Sequence, residues 1–447
     1  MSTEEYSPED EDEEEEELDI MIHSDWREKQ QKKNRVAINQ FLGKGKRHKY
    51  VGILPRYYGE LLTWALNQYL EREGCKIIAT LGYKAPEPIY IDVTTDVGIS
   101  KNLIMRGQML MEKDDNRFII TVDMNPRWRA SFQVEGQEEK KDKIESLVNA
   151  VLTIAKEENI YRGKKIEFAG RIRFLNIGEK LWDSIIIDST TKREIQANTT
   201  DFLRRSDLWE EYNIPLKRGI LLAGEPGIGK TIICKALMTE AKEFSCITTN
   251  GYSLDEDDYI TELYELAADL SPSIVFIEDI DLIGQNRMEF GYQRGPALIS
   301  LLTILDGVEE HKKIVTVATT NCLETLDRAL SQRPSRFDRV ITLSRPSIEQ
   351  RRDLVSNLCQ SIPLDKDTQD YIAHSAENCT PAQLQEIIYS LVIWQGGDHA
   401  KLTFSKDEID QITLKINNRN KRQIGFGINN NHNGNESEQI RIVRGRI

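Results

Sequence analysis

The chain reads as an α/β protein, a parallel sheet with a helical lid, preceded by a separate α+β domain. Three observations predict this. In RGILLAGEPGIGKTII (218–233), a short apolar strand signal over Ile220–Ala223 passes through a glycine-rich turn into a helix start. Two further short apolar runs, Ile274–Ile277 and Ile314–Ala318, suit strands buried on both faces of a parallel sheet. From Pro346 to Trp394 the pattern becomes helical with short breaks, in IEQRRDLVSNLC, KDTQDYIAHSA and PAQLQEIIYSLVIW.

The glycine-rich turn carries the first chemistry. Gly224-Glu225-Pro226-Gly227-Ile228-Gly229-Lys230-Thr231 fits G-x-x-x-x-G-K-[ST] and lies between strand and helix, as a phosphate-binding loop requires. Glycines let successive backbone N–H groups curl around a polyphosphate, and the helix N-terminus behind them adds roughly half a positive charge. Lys230 can reach the terminal phosphates, and the Thr231 hydroxyl can ligate Mg²⁺. The residues from Gly224 to Thr231, with Ile232, are therefore expected to hold ATP, and the sheet is predicted to be that of a P-loop NTPase.

The second and third strands should bring the remaining groups. Ile274-Val275-Phe276-Ile277 ends in Glu278-Asp279, so two acids emerge at the carboxyl end of a buried strand, where ligands of open α/β sheets bind. One carboxylate there can hold Mg²⁺ and the other can orient the attacking water. The third strand ends in Thr319-Thr320-Asn321, and an amide at that place can bond both the water and the γ-phosphate. Further on, Arg333 and Arg336 sit three apart beside a turn, where in a ring they can reach a neighbour's γ-phosphate.

Composition bounds the setting. At 447 residues, with 39% hydrophobic and 30% charged, the chain should hold two or three compact domains plus tails. There is no run of 18 apolar residues, so no membrane span is expected, and the acidic N-terminus does not read as a secretory signal. Six scattered cysteines (75, 234, 246, 322, 359, 379) and six histidines lack metal-ligand spacing; reduced thiols in a cytoplasmic compartment are expected. The net charge of −14 is uneven: residues 1–20 carry −12, residues 21–50 carry +7 and residues 416–447 carry +4. The remaining body is mildly acidic, which disfavours a nucleic-acid partner.

In chain order, residues 1–54 read as a disordered tail, acidic and then basic. Residues 55–190 read as an α+β domain for docking a partner or client. Its first helix carries Tyr58, Leu61, Leu62, Ala65, Leu66 and Tyr69 and stops at Gly74; its second carries Ile144, Leu147, Val148, Val151 and Ile154. Extended stretches lie at Lys76–Leu81, Ile89–Thr94 and Leu103–Met111, and a hairpin at 117–134 crosses Asn125-Pro126. Two more strand candidates, Lys165–Leu175 and Leu181–Ile187, complete it. Trp128 with its flanking arginines reads as core and surface. Thr199-Thr200-Asp201 gives a capping signal in the linker to the nucleotide-binding domain at 191–345. The lid spans 346–415, and 416–447 is an Asn-rich basic tail expected to be disordered.

Residues 195–395 resemble the AAA family of ATPases, the branch with hexameric unfoldases and remodellers. The resemblance rests on RGILLAGEPGIGKT, PSIVFIEDID, LLTILDG (301–307), TTN and RPSRFDR, in family order. It implies a Walker A loop with Lys230 and Thr231, a Walker B strand ending at Glu278 and Asp279, a sensor at Asn321 and arginine fingers at Arg333 and Arg336. By position Glu278 is the magnesium-side acid and Asp279 the water-polarising one. Most of the family has Asp-Glu here; the Glu-Asp order is similar to the branch containing the mitochondrial translocase of folded iron–sulfur protein. Asp279 is one methylene shorter, which implies slow turnover. The segment 250–258 lacks the aromatic–hydrophobic–glycine loop of threading enzymes, with Tyr252 as the available stand-in, and the finger loop holds one extra residue, Ser331 or Gln332. The expected function is an ATP-hydrolysing ring, a homohexamer, that remodels a protein client. The alternatives are a nucleotide-dependent assembly switch with weak hydrolysis and a nucleic-acid motor.

Overall fold

The computed structural model describes residues 30–125, 129–255, 258–283, 300–301, 303–305, 313–323, 337–395 and 402–423. The acidic block at 1–20, Trp128, the finger loop with Ser331, Gln332, Arg333 and Arg336, and the tail beyond 423 lie outside the described residues. The chain divides into two compact units. One comprises Met1–Gly224 and Lys230–Leu343; the other comprises Glu225–Gly229 and Ser344–Ile447.

The first unit holds two sheets. Strands β1 (Arg47–Leu54), β2 (Lys76–Leu81), β3 (Ile89–Asp96), β4 (Ile99–Lys113), β5 (Asn116–Asn125) and β6 (Arg129–Gln137) form an antiparallel sheet in the order β1-β6-β5-β4-β2. The long β4 pairs with β3 along its first half and β2 along its second. Helices Gly59–Arg72 and Lys141–Glu157 cover one face with Leu61, Leu62, Ala65 and Leu66 from one and Ile144, Leu147, Val148 and Val151 from the other. Those spacings place each set on one stripe of its helix, so both helices bury the stripe against the sheet.

The region before residue 55 departs from its composition. Residues 30–42 are helical, and Ile38, Phe41 and Leu42 pack over Leu110 and Ile119 on the second face of the sheet. β1 pairs with β6 along its whole length. Its basic residues are matched by neighbours: Arg47 and Lys49 each lie 3.1 Å from Glu135, and His48 lies 3.3 Å from Glu145. Local charge therefore signalled disorder where cross-strand carboxylates supply the balance.

Strands β7 (Lys165–Phe168), β8 (Ile172–Phe174), β9 (Lys217–Ala223), β10 (Ser245–Asn250), β11 (Ser273–Glu278), β12 (Ile314–Thr320) and β13 (Arg339–Thr342) form the second sheet, in the order β13-β9-β12-β11-β10-β7-β8. Every neighbouring pair is parallel except the β7–β8 hairpin. This is the predicted α/β sheet, but its edge corrects the expected boundary at 190. β7 pairs with β10 from Cys246↔Lys165 to Thr248↔Glu167, so residues 165–174 belong to the nucleotide-binding sheet. Alternation of buried Ile166 and Phe168 marks a strand without saying which sheet receives it. The expected strand at 181–187 is instead a short 3₁₀ turn at Trp182–Ser184, whose indole N–H donates to Glu240. Thr199 sits at the N-cap of the Thr200–Arg204 helix but makes no side-chain cap bond, because its hydroxyl donates to the Ile195 carbonyl at 2.7 Å; Asp188 caps the preceding Ser189–Ala197 helix through its carboxylate.

One hydrophobic core runs between the two sheets. Arg56 grips Glu262 with two hydrogen bonds of 2.6 and 3.1 Å and lies 4.9 Å from the centre of the Tyr259 ring. Tyr57 meets Phe168 edge-on at 5.8 Å, and Phe168 meets Tyr259 at 6.1 Å. Asn159 donates to the Tyr58 hydroxyl at 3.2 Å.

The second unit contains helices Ile348–Leu358, Lys366–Ser375, Pro381–Trp394 and Lys406–Gln423 around a core of Val355, Ile372, Leu384, Ile388 and Ile409. Ser347 with Gln350 and Thr380 with Gln383 form reciprocal capping boxes, and Pro381 opens its helix where no N–H is needed. The last helix continues past 415, the expected end of the lid, because Ile409, Ile412 and Ile416 keep helical spacing and pack on the same core.

Phe168 is fully buried in the aromatic joint. Phe168→Ala should destabilise the first unit by about 3–5 kcal/mol, read as a lower urea midpoint.

Candidate active site

The site is assembled at the carboxyl ends of β9, β11 and β12. Register aligns Ala223 of β9 with Thr320 of β12, so the Gly224 loop and Asn321 leave the sheet at one level. The Gly224 N–H donates to the Thr320 carbonyl at 3.3 Å. Gly227 and Gly229 have φ of 81° and 111°, backbone that L side chains rarely adopt. Ile228 is buried, whereas Glu225, Pro226, Thr231 and Ile232 are exposed.

Lys230 opens the helix Lys230–Glu240 and is buried. Its ammonium donates to the Gly224 carbonyl and to Asn321 Oδ1, both at 2.7 Å. Burial lowers its pKa, opposed by the charges of Asp279 and Asp281. Asn321 Nδ2 donates to Asp279 Oδ1 at 2.8 Å. The amide orientation follows from chemistry, since an ammonium has no acceptor and a carboxylate no donor. Asp279 has φ 50° and ψ 57°, the left-handed region, and its N–H donates to Thr319 Oγ1 at 3.0 Å. Thr231 Oγ1 donates to Glu278 Oε2 at 3.0 Å.

The structure therefore brings Lys230, Thr231, Glu278, Asp279 and Asn321 together. Thr231 and Glu278 offer hydroxyl and carboxylate oxygens, a donor set that fits Mg²⁺, a hard cation that keeps most of its water. Three supporting residues escaped the sequence reading. Asp281 accepts the Asn321 backbone N–H at 3.1 Å, and Thr319 holds Asp279. Both lie inside stretches already singled out, but residue type alone does not say that they brace the site. In the second unit Arg345 bonds Glu225 at 2.6 and 3.1 Å and the Asn378 carbonyl at 2.7 Å, while the Gly227 carbonyl accepts from Ala382 N–H at 3.2 Å. Arg345 and Glu225 are 120 residues apart in sequence, beyond the reach of any local pattern.

A glycine-rich loop leaving β9, two acids at the end of β11 and an amide at the end of the β12 strand between them fit a nucleoside-triphosphatase site. Residues 220–345 match the model of the ATPase family associated with various cellular activities (AAA) and are an AAA-type ATPase domain. The chain is 31% identical over 259 residues to the ATP-dependent zinc metalloprotease FtsH 2 of Sphaerobacter thermophilus, covering 55% of this chain and 39% of that protein. It is 32% identical over 230 residues to the proteasome-activating nucleotidase of Sulfurisphaera tokodaii, covering 48% of this chain and 58% of that one. A chloroplastic ATP-dependent zinc metalloprotease, FTSH 1 of Arabidopsis thaliana, is 33% identical over 235 residues, 50% of this chain and 32% of that protein. The chain thus matches less than two thirds of the length of these curated relatives. No helix among the described residues is long and apolar enough to cross a membrane.

Lys230→Ala removes an ammonium that donates to Asn321 and that is placed to meet a phosphate. A charge-assisted hydrogen bond contributes about 1.5–3 kcal/mol, so affinity for an ATP analogue should fall about ten- to a hundredfold, measured by titration calorimetry.

Proposed function

We propose that this chain is an ATP hydrolase that assembles into a homohexameric ring in the cytoplasm and remodels a protein client. The observation that carries the reading is the Asn321 amide, bonded at one end to the Lys230 ammonium and at the other to the Asp279 carboxylate. It sets the group that meets the terminal phosphate and the group that accepts a proton from water at a fixed separation. Positioning and charge neutralisation account for the chemistry, with no covalent intermediate on the protein.

The loop amides from Gly224 to Gly229 would cradle the phosphates, with Lys230 against the terminal group. Thr231 and Glu278 would hold Mg²⁺, which would offset the negative charge that develops on the phosphates. Asp279 orients the attacking water and takes up its proton; Asn321 keeps that carboxylate from turning away. Arg333 and Arg336 of one subunit would reach the γ-phosphate held by the next, so a solitary copy should be nearly inert. The antiparallel sheet of the first unit is the surface proposed for the client, and Tyr252, 63% exposed, is the side chain proposed to touch it.

Specific activity should rise with protein concentration and vanish in both Lys230→Ala and Arg336→Ala, measured by phosphate release. ATP binding without phosphate release would instead assign the chain to the assembly switch, and strong salt-dependent DNA or RNA binding to the nucleic-acid motor. Asp279→Asn keeps the size of the side chain and removes the base. It should lower kcat at least about a hundredfold with KM little changed.

A further inference from the structure

The Asp279 turn is supported from the neighbouring strand by a residue with no side chain. β10 and β11 run parallel with Asn250 opposite Glu278, which sets Gly251 beside Asp279. The Gly251 N–H donates to the Glu278 carbonyl at 2.8 Å. A Cβ at 251 would lie 2.3 Å from the Asp279 carbonyl oxygen and 3.2 Å from its carbon. The clash is with backbone, so no side chain can swing aside to relieve it. Asp279 is thereby held at three points: its N–H by Thr319, its carboxylate by Asn321 and its carbonyl against the bare Cα of Gly251.

Gly251 also begins the turn that presents Tyr252. Asn250 Oδ1 accepts from Ser253 N–H at 2.8 Å, and the Gly251 carbonyl accepts from Leu254 N–H at 3.3 Å. Leu254 is buried, while Tyr252 projects outward. The turn is therefore anchored at both ends, and a displacement at Tyr252 has little slack before it reaches Gly251.

We propose that Gly251 is a positioning residue for ATP hydrolysis: it seats the left-handed Asp279 peptide and links contact at Tyr252 to the alignment of the Asp279 carboxylate. The inference rests on the hydrolase reading above. A misplacement of about 1 Å at a reacting group can cost a hundredfold in rate, so a small shift of this seat suffices to gate turnover.

The test uses the full chain. In Gly251→Ala, kcat should fall ten- to a hundredfold, with KM for ATP and affinity for a non-hydrolysable ATP analogue within about twofold of wild type. A kcat within twofold of wild type overturns the proposal, and so does a parallel loss of binding and turnover, which marks a merely structural role. If that variant does not fold, wild-type hydrogen exchange decides: the amides from Gly251 to Leu254 should gain protection when Mg²⁺ and the analogue bind, and unchanged exchange overturns the seat. A wild-type chain that binds the analogue and releases no phosphate defeats the hydrolase reading instead, and the exchange result still judges the contact between Gly251 and Asp279.

Discussion

A buried ammonium and a carboxylate two strands away are joined through one primary amide at the end of the strand between them, and the rest of the site follows from that constraint. Lys230 loses water on burial, so its charge must be met by oriented oxygens. The Gly224 carbonyl and Asn321 Oδ1 both supply such an oxygen. The same amide then has only its NH₂ left for Asp279. The strand order β9-β12-β11 is what brings their three carriers side by side.

The two acids divide their labour by backbone geometry as well as by position. Glu278 is the last residue of β11 and reaches sideways to Thr231. Asp279 leaves the strand in a left-handed conformation, which turns the chain sharply and delivers the shorter side chain to the sensor amide. A non-glycine residue in that region is held there at a cost by its surroundings. Here the holders come from β12 through Thr319 and from the turn after β10 through Gly251. The Glu-Asp order thus coincides with a turn braced on two sides.

Much of the site was legible because its chemistry is local in sequence. Lys230 and Thr231 sit in one loop, Glu278 and Asp279 end one apolar run, and Asn321 ends another. What could not be read are pairings that only the fold creates. The Arg345–Glu225 pair, the Gly251–Asp279 contact and the match of Arg47 and Lys49 to Glu135 join residues far apart in the chain. The same cause explains the fold errors. Lys165–Phe168 carries a clear strand signal, yet its partner β10 lies some eighty residues downstream. The helix at 30–42 and β1 looked solvated because their counter-charges and apolar partners come from β4, β5 and β6.

The β7–β8 hairpin has an evolutionary consequence. It precedes the P-loop strand in sequence but closes the flank of the sheet next to β10. Genetic exchange of everything before residue 190 would strip that flank and leave the β10 backbone open, the kind of border along which separate molecules zip together and precipitate. A seam that spares the sheet must fall earlier, between the end of the Lys141–Glu157 helix and Lys165. Even there the aromatic joint of Tyr57, Phe168 and Tyr259 ties both sides, so the two layers are bound to diversify as one inheritance.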